Sequence, residues 1–325
     1  MDYRELDVTI QSKVALKGTL SFPDCRTTKG PAVLIIPGTG KLDRNGRVNK
    51  KIDLKLYRQL AELLSSMGYI CLRYDKRGVA GSEGDYYKTG LWDLVDDARA
   101  GVQHLKNLPE VDSEKVIVLG HSEGSMLGTA VAAREELAGL ILLAGAIENL
   151  NDVLKRQRNI ASQDILDAKG FLGFFLRLLG TQNKVEKQAQ KVINKILSSN
   201  EEVMKFNFVK TNAKWMREHF AYNPKEDLAK VTCPVLAITG ARDIQSNPDE
   251  LKNLSQYVKG DSEYYVIENM GHSLKFQAKT SNMLSAKKDI LAEVSLPVHP
   301  ELVIHLETWL QNHFVKNSSD EPVSV

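Results

Sequence analysis

The 325-residue sequence contains only three cysteines, Cys25, Cys71 and Cys233, widely separated along the chain. No Cys-x-x-Cys pair occurs, and an odd count gives no disulfide framework. Cys71 and Cys233 lie in apolar, strand-like runs, the setting of buried free thiols. An excess of one charge is also missing. Lys and Arg number 43 against 41 Asp and Glu, a formal net charge of +2, and no long basic run is present. Nucleic acid is therefore not an expected partner. No stretch approaches the roughly 20 apolar residues of a membrane span. The best, from Gly170 to Leu179, is short and contains Arg177. The opening Met1–Glu5 is charged and lacks the apolar core of a signal peptide. Internal repeats, low-complexity segments and clusters of metal-ligating residues are lacking too. These absences lead to the expectation of a soluble, cytoplasmic protein that needs no metal or organic cofactor.

What is present is ordinary for a globular chain, with 42% hydrophobic and 26% charged residues. The length suits one large α/β domain carrying an insertion. Leu6 to Phe22 alternates apolar and polar positions and predicts two strands turning near Ser12. Ala32–Ile36 is a continuous apolar run, as expected of a strand buried on both faces of a parallel sheet. Helical spacing follows from Leu54 to Met67 and stops at Gly68. Tyr69–Tyr74 predicts a strand, Trp92–Leu108 a helix with an acidic start, and Lys115–Leu119 and Leu140–Leu143 two more strands. This alternation predicts a mostly parallel sheet covered by helices on both faces. It breaks after Ala144. Asn151 to Lys225 shows helical pieces and no convincing strand, and the strand pattern resumes at Val231–Thr239 and Glu263–Ile267. Leu302–Trp309 predicts a closing amphipathic helix, and Asn317–Val325 a frayed tail. The expected organisation is a core of residues 1–149 and 227–325 with a helical cap, 150–226, inserted between two halves of one sheet.

The segment Gly120-His121-Ser122-Glu123-Gly124 joins the strand ending at Leu119 to a helix-like stretch, Met126 to Glu136. Gly-x-Ser-x-Gly at a strand-to-helix junction predicts a nucleophile elbow. The serine sits in a strained turn, and small residues on either side let backbone pass closely. The helix then opens at the serine, where its free N–H groups can face a developing oxyanion. A serine needs a base, and the base an orienting carboxylate. Asp243 follows the strand Val235–Thr239, and His272 follows the next one, both at the sheet edge where open α/β sheets place their sites. Asp249 and Asp261 are weaker alternatives for the acid. His104 and His219 fall in helical stretches, with surface or packing roles, while His299, His305 and His313 belong to the last helix and its approach. His121, beside the nucleophile, is read as pointing away from it. The oxyanion donors expected are the backbone amides of Glu123 and Thr39, with Gly38 in reserve. The Glu123 side chain is expected to pair with a basic group or to shape the pocket. Asp75 and Arg77 are expected to serve in a structural ion pair.

These residues resemble the α/β-hydrolase superfamily, and within it bacterial serine carboxylesterases with an inserted helical cap. The markers are Pro37-Gly38-Thr39-Gly40 with Asp43-Arg44-Asn45, Arg73 to Gly78, Gly120 to Gly124, Gly240 to Asp243, Met270-Gly271-His272 and Pro297 to Leu302. The oxyanion loop opens with Pro37 where many relatives carry His, which leaves backbone donors unaffected. The resemblance implies ester hydrolysis through an acyl-serine intermediate with a small-molecule ester as partner. The same triad serves thioesterases, acyltransferases and peptidases, and a hydrolase fold kept only for ligand binding is the alternative of a different class. Asp would be needed at the elbow for a dehalogenase or an epoxide hydrolase. The pocket is expected to draw on Gly38, on Phe171, Phe174 and Phe175 with Leu172, Leu178 and Leu179, and on Trp215, Phe206 and Phe208. Met283, Leu284 and Ile290 are expected to add a further piece of wall. The physiological ester, the oligomeric state and any cap movement stay open.

Overall fold

The computed structural model describes residues 3–23, 28–145, 147–167, 181–282 and 286–314. Eight strands form one sheet: β1 (Tyr3–Gln11), β2 (Ala15–Pro23), β3 (Gly30–Ile36), β4 (Ile70–Tyr74), β5 (Val111–His121), β6 (Gly139–Leu143), β9 (Val235–Gly240) and β10 (Ser262–Ile267). Their order is β1-β2-β4-β3-β5-β6-β9-β10. β1 and β2 pair antiparallel, β2 runs antiparallel to β4, and every later pair is parallel.

The continuous apolar runs are divided face by face, because successive side chains of a strand point to opposite sides. Ala32, Leu34 and Ile36 of β3 join Val116 and Val118 in one core cluster. Helix α2 (Leu91–Lys106) covers it with Leu94, Ala98 and Leu105, and α3 (Glu123–Ala132) with Leu127 and Val131. Val33, Ile35, Ile117 and Leu119 face the other way, under α1 (Leu56–Ser66) and the last helix, Pro300–Phe314. Trp309 of that helix is 1% exposed. At about 1.5–3 kcal/mol for each large apolar side chain taken out of water, these two layers supply the main drive for folding.

Between β6 and β9 the chain leaves the sheet. It forms α4 (Leu150–Asp167), the helix Thr181–Leu197, a hairpin, and the helices Ala213–Ala221 and Pro224–Leu228. The hairpin corrects the expectation that this stretch holds no strand. β7 (Val203–Phe206) pairs antiparallel with β8 (Val209–Asn212), and Asn207 and Phe208 turn between them with φ of 48° and 66°. Four residues per strand, interrupted by Lys205 and Lys210, are too few to show an alternating pattern. Pro224–Leu228 already packs with the core, through buried Leu228 and a 2.5 Å contact from Arg134 to Asp227. The helix after the elbow also differs from expectation. It starts at Glu123 and ends at Ala132, short of Glu136. No helix among the described residues is long and apolar enough to cross a membrane.

The turn from β5 into α3 depends on bare backbone. A Cβ on Gly120 would fall 2.0 Å from the carbonyl oxygen of Gly124, and one on Gly124 would fall 2.2 Å from that of Ile36. Gly120→Ala should therefore destabilise the fold by about 2 kcal/mol or more, read as a lowered urea midpoint. An unchanged midpoint would mean that the turn can relax without cost.

Candidate active site

Several sheet strands deliver one group each to a common edge, around the point where the chain's strand order reverses between β3 and β5. β5 ends at Ser122, whose φ of 56° and ψ of −118° place it in strained backbone. The strain is held by Ser122 N–H donating to Leu143 O (2.8 Å) and by Ser125 Oγ donating to Gly120 O (2.9 Å). β10 leads to His272, whose Nε2 lies 3.0 Å from Ser122 Oγ. β9 leads to Asp243, whose Oδ2 lies 2.8 Å from His272 Nδ1. The three residues expected from the sequence are thus brought into one hydrogen-bonded row.

Asp243 is 6% exposed, and burial alone would raise its pKa. The adjacent His272 outweighs this, helped by Ser246 and the Gln245 amide, and the carboxyl stays below its ordinary value. Ser246 Oγ donates to Asp243 Oδ2 (2.5 Å), which leaves its own lone pairs for the Thr239 hydroxyl at 2.8 Å. A carboxylate so held can orient an imidazole, and the imidazole can accept the serine proton.

Both ring nitrogens of His121 bond groups other than the Ser122 hydroxyl, and the side chain does more than pack. Its Nε2 lies 2.9 Å from the carbonyl oxygen of His272, which can only accept, so Nε2 carries the proton. Nδ1 then accepts from the Tyr57 hydroxyl at 3.1 Å, and that hydroxyl accepts from Gly38 N–H at 2.7 Å. One chain of bonds therefore connects the loop after β3 to the backbone of His272. It requires a neutral ring. Burial, reinforced by the neighbouring His272, pushes the His121 pKa down to about 3. The amide of Gly38 is committed to Tyr57, which removes the reserve oxyanion donor. The Thr39 and Glu123 amides have no partner among the hydrogen bonds of the described residues.

The Glu123 side chain is the centre of a second buried cluster. Lys76 Nζ lies 3.1 Å from its Oε2, while Trp215 Nε1 (2.5 Å) and His219 Nε2 (3.1 Å) approach Oε1. Burial would raise this carboxyl, but Lys76 foremost, then His219 and Trp215, hold it at about 2. Sequence reading passed over Lys76 and Tyr57 and assigned His219 a surface or packing role. Lys76 carried one legible signal: a charged side chain just past the end of a fully buried strand, at the edge where sites lie. Asp75 and Arg77 do not pair with each other. Asp75 accepts from the amides of Arg44 (2.7 Å) and Gly81 (3.3 Å), and Arg77 pairs with Asp97 (2.6 Å) and Asp93 (3.3 Å).

Two cavities flank Ser122, of about 250 and 230 Å³, and both reach Thr39 and His272. The first is walled by Leu42, Leu54, Tyr57, Ile244 and Ile290, and also meets Gly38. The second is walled by Met126, Leu150, Val153, Leu154 and Trp215. Ile290 is on the helix Ala286–Glu293. Phe208 is fully exposed at the hairpin tip, and Phe206 lies under Lys195 at 5.7 Å, so neither joins Trp215 in the cleft. Phe171, Leu172, Phe174, Phe175, Leu178, Leu179, Met283, Leu284, Cys25 and the tail Asn317–Val325 lie outside the described residues.

The family model for serine aminopeptidase, S33, matches residues 53–278 of this chain. The chain belongs to this hydrolase family. Esterase EstD of Thermotoga maritima is 28% identical over 248 residues, covering 75% of this chain and 53% of EstD, so the match spans about half of that relative's length. Polyketide transferase ATR5 of Stachybotrys chlorohalonatus is 24% identical over 227 residues, 62% of this chain and 75% of ATR5. Among solved structures, Est1E from Butyrivibrio proteoclasticus with bound ferulic acid superposes with a TM-score of 0.60 at 17% identity, over 94% of this chain and 98% of Est1E. The α/β hydrolase GrgF from Penicillium sp. gives 0.61 at 15% identity, over 97% and 100%. The fold is accordingly that of the α/β hydrolases, as the sequence motifs imply.

The buried, neutral His121 fixes the sign of an acid effect. Its pKa falls from an ordinary 6.5 to about 3 on folding, so the unfolded chain takes up a proton first as pH drops below 6.5. Its stabilising contribution is complete above that value and is lost toward pH 3, at up to about 1.4 kcal/mol per pH unit. His121→Gln keeps a donor for the His272 carbonyl without the titration. Urea unfolding at pH 7, 6 and 5 should show the wild type losing stability faster than this variant. Parallel losses would refute the assignment.

Proposed function

We propose that this protein is a serine hydrolase that cleaves carboxylic esters of small, fairly apolar substrates through an acyl-serine intermediate. The observation that carries this reading is the row Ser122 Oγ, His272 Nε2 and Nδ1, Asp243 Oδ2, with spacings of 3.0 and 2.8 Å. His272 takes the Ser122 proton as Oγ attacks the ester carbonyl. The carbonyl oxygen, now negative, is held by the Thr39 and Glu123 amides at the start of α3. His272 passes its proton to the leaving alcohol, then takes one from water, and the resulting hydroxide releases the acid from Ser122. Asp243 keeps the ring in the tautomer that presents Nε2 to the serine.

Ester rather than peptide cleavage is favoured by how the nearby carboxylates are used. An aminopeptidase needs an acid free to take a substrate ammonium group. Glu123 is neutralised by Lys76 and Glu148 by Arg156 at 2.7 Å, while Asp289 and Glu293 accept from neutral hydroxyls, those of Ser281 at 2.7 Å and of Ser273. Burial also raises the Glu293 carboxyl above its ordinary range, toward its neutral form. The similarity to EstD, which carries the name esterase, supports the same choice. The segment 150–226 serves in this reading as a cap over the nucleophile, with Trp215 and α4 as its contribution to the pocket wall. Two apolar cavities on either side of Ser122 suit a substrate with one substituent in each.

A series of p-nitrophenyl esters of increasing acyl length tests the proposal. Turnover should show an optimum length that sizes the acyl cavity. Ser122→Ala should lower kcat/KM by about 10,000-fold or more, and Asp243→Asn by roughly 1,000-fold or more with KM little changed. Absence of turnover on every ester, together with a Ser122 left unlabelled by a fluorophosphonate, would remove the hydrolase reading.

A further inference from the structure

Lys76 is 3% exposed, and a buried ammonium must be paired to be tolerated. It has two partners. Its Nζ donates to the Gly38 carbonyl at 2.6 Å and to Glu123 Oε2 at 3.1 Å. The shorter bond goes to the neutral carbonyl, and the Glu123 carboxylate has Trp215 and His219 beside its other oxygen. Charge balance alone would not place the ammonium closer to Gly38. That carbonyl belongs to the peptide whose N–H is the amide of Thr39. The peptide is trans, as are all in the described chain, so its C=O and N–H point in opposite directions. Gly38 itself packs against the nucleophile, since a Cβ built on it would lie 3.2 Å from Ser122 Cβ.

We infer that Lys76 is the positioning residue of the oxyanion hole: it fixes the plane of the Gly38–Thr39 peptide and ties that peptide to Glu123, the residue bearing the second donor. The inference rests on the proposed serine mechanism. Holding the carbonyl with a cation both aims the Thr39 N–H at the cleft and strengthens it as a donor, because a bond to the oxygen polarises the whole amide. Lys76 is itself held on both sides. Asp75 is anchored by the Arg44 and Gly81 amides and by Ser82 Oγ on its carbonyl (2.7 Å), and Arg77 by Asp97 and Asp93. Tyr57 holds the other end of Gly38 through its N–H. The donor peptide is therefore gripped before any substrate arrives, as preorganised oxyanion stabilisation requires.

Lys76→Met alone would leave Glu123 buried without its cation, so the test uses Glu123→Gln as the reference background. Lys76→Met/Glu123→Gln should show a kcat roughly 10- to 100-fold below Glu123→Gln alone, as expected when one oxyanion donor is misdirected. KM should stay within about threefold, and affinity for a trifluoromethyl ketone, which forms a tetrahedral oxyanion adduct, should fall in parallel with kcat/KM. Lys76→Gln/Glu123→Gln returns a neutral donor to the Gly38 carbonyl and should recover part of the loss. A double variant whose kcat is within about threefold of the reference would mean that Lys76 only balances Glu123, and would overturn the inference. So would a loss confined to KM. Fluorophosphonate labelling of the wild type separates the two levels. A labelled, active wild type with an unaffected double variant rejects the role of Lys76 alone, whereas an unlabelled Ser122 rejects the hydrolase reading and this inference with it.

Discussion

The site depends on how closely three pieces of backbone approach one another at the end of β5. Gly120, Gly124 and the carbonyl of Ile36 meet at distances that leave no room for a Cβ on either glycine. That contact lets the chain reverse from strand to helix within one residue, and it leaves Ser122 as the residue that takes the strained conformation. Burial of β5 between β3 and β6 keeps the strand rigid enough to hold that strain. The Ser122 hydroxyl is presented by packing of the sheet.

Around this turn two buried polar systems divide the work. One runs from Gly38 through Tyr57 and His121 to the backbone of His272, and it is neutral throughout. The other is ionic and joins Lys76, Glu123, His219 and Trp215. The neutral system connects the loop after β3 to His272. The ionic system connects it to the helix Ala213–Ala221, so part of the inserted segment is fastened to Glu123, the residue next to Ser122. Asn212 adds a second fastening, since its Nδ2 donates to the carbonyls of Tyr86 (2.9 Å) and Thr89 (2.6 Å) while its Oδ1 caps the same helix.

The sheet was legible because central parallel strands are apolar on both faces, and runs such as Ala32–Ile36 have no other economical explanation. The row Ser122, Asp243, His272 was legible because each residue lies just past the carboxyl end of a strand, in the chain order Ser, Asp, His. The supporting groups were not. Tyr57 is 64 residues from His121 in sequence, and Trp215 is 92 from Glu123, so no local pattern relates them. Tyr57 reads as one more apolar position of α1, and His219 as one more polar position of a helix. Lys76 stands between two other charged residues, Asp75 and Arg77, and its sequence position alone does not set it apart from them. The β7–β8 hairpin escaped because its strands are short and their lysines break the alternation.

His121 and Glu123 occupy the two unspecified positions of Gly-x-Ser-x-Gly, yet each is bound to side chains distant in sequence. An apolar residue in place of Glu123 would strand a buried ammonium at Lys76, and a neutral Lys76 would strand the carboxylate. Each change by itself leaves a buried charge without its counter-ion, and the two together restore the balance. In descent, these positions are therefore expected to exchange as a pair, so that the variable letters of the motif record which partners the rest of the sequence supplies.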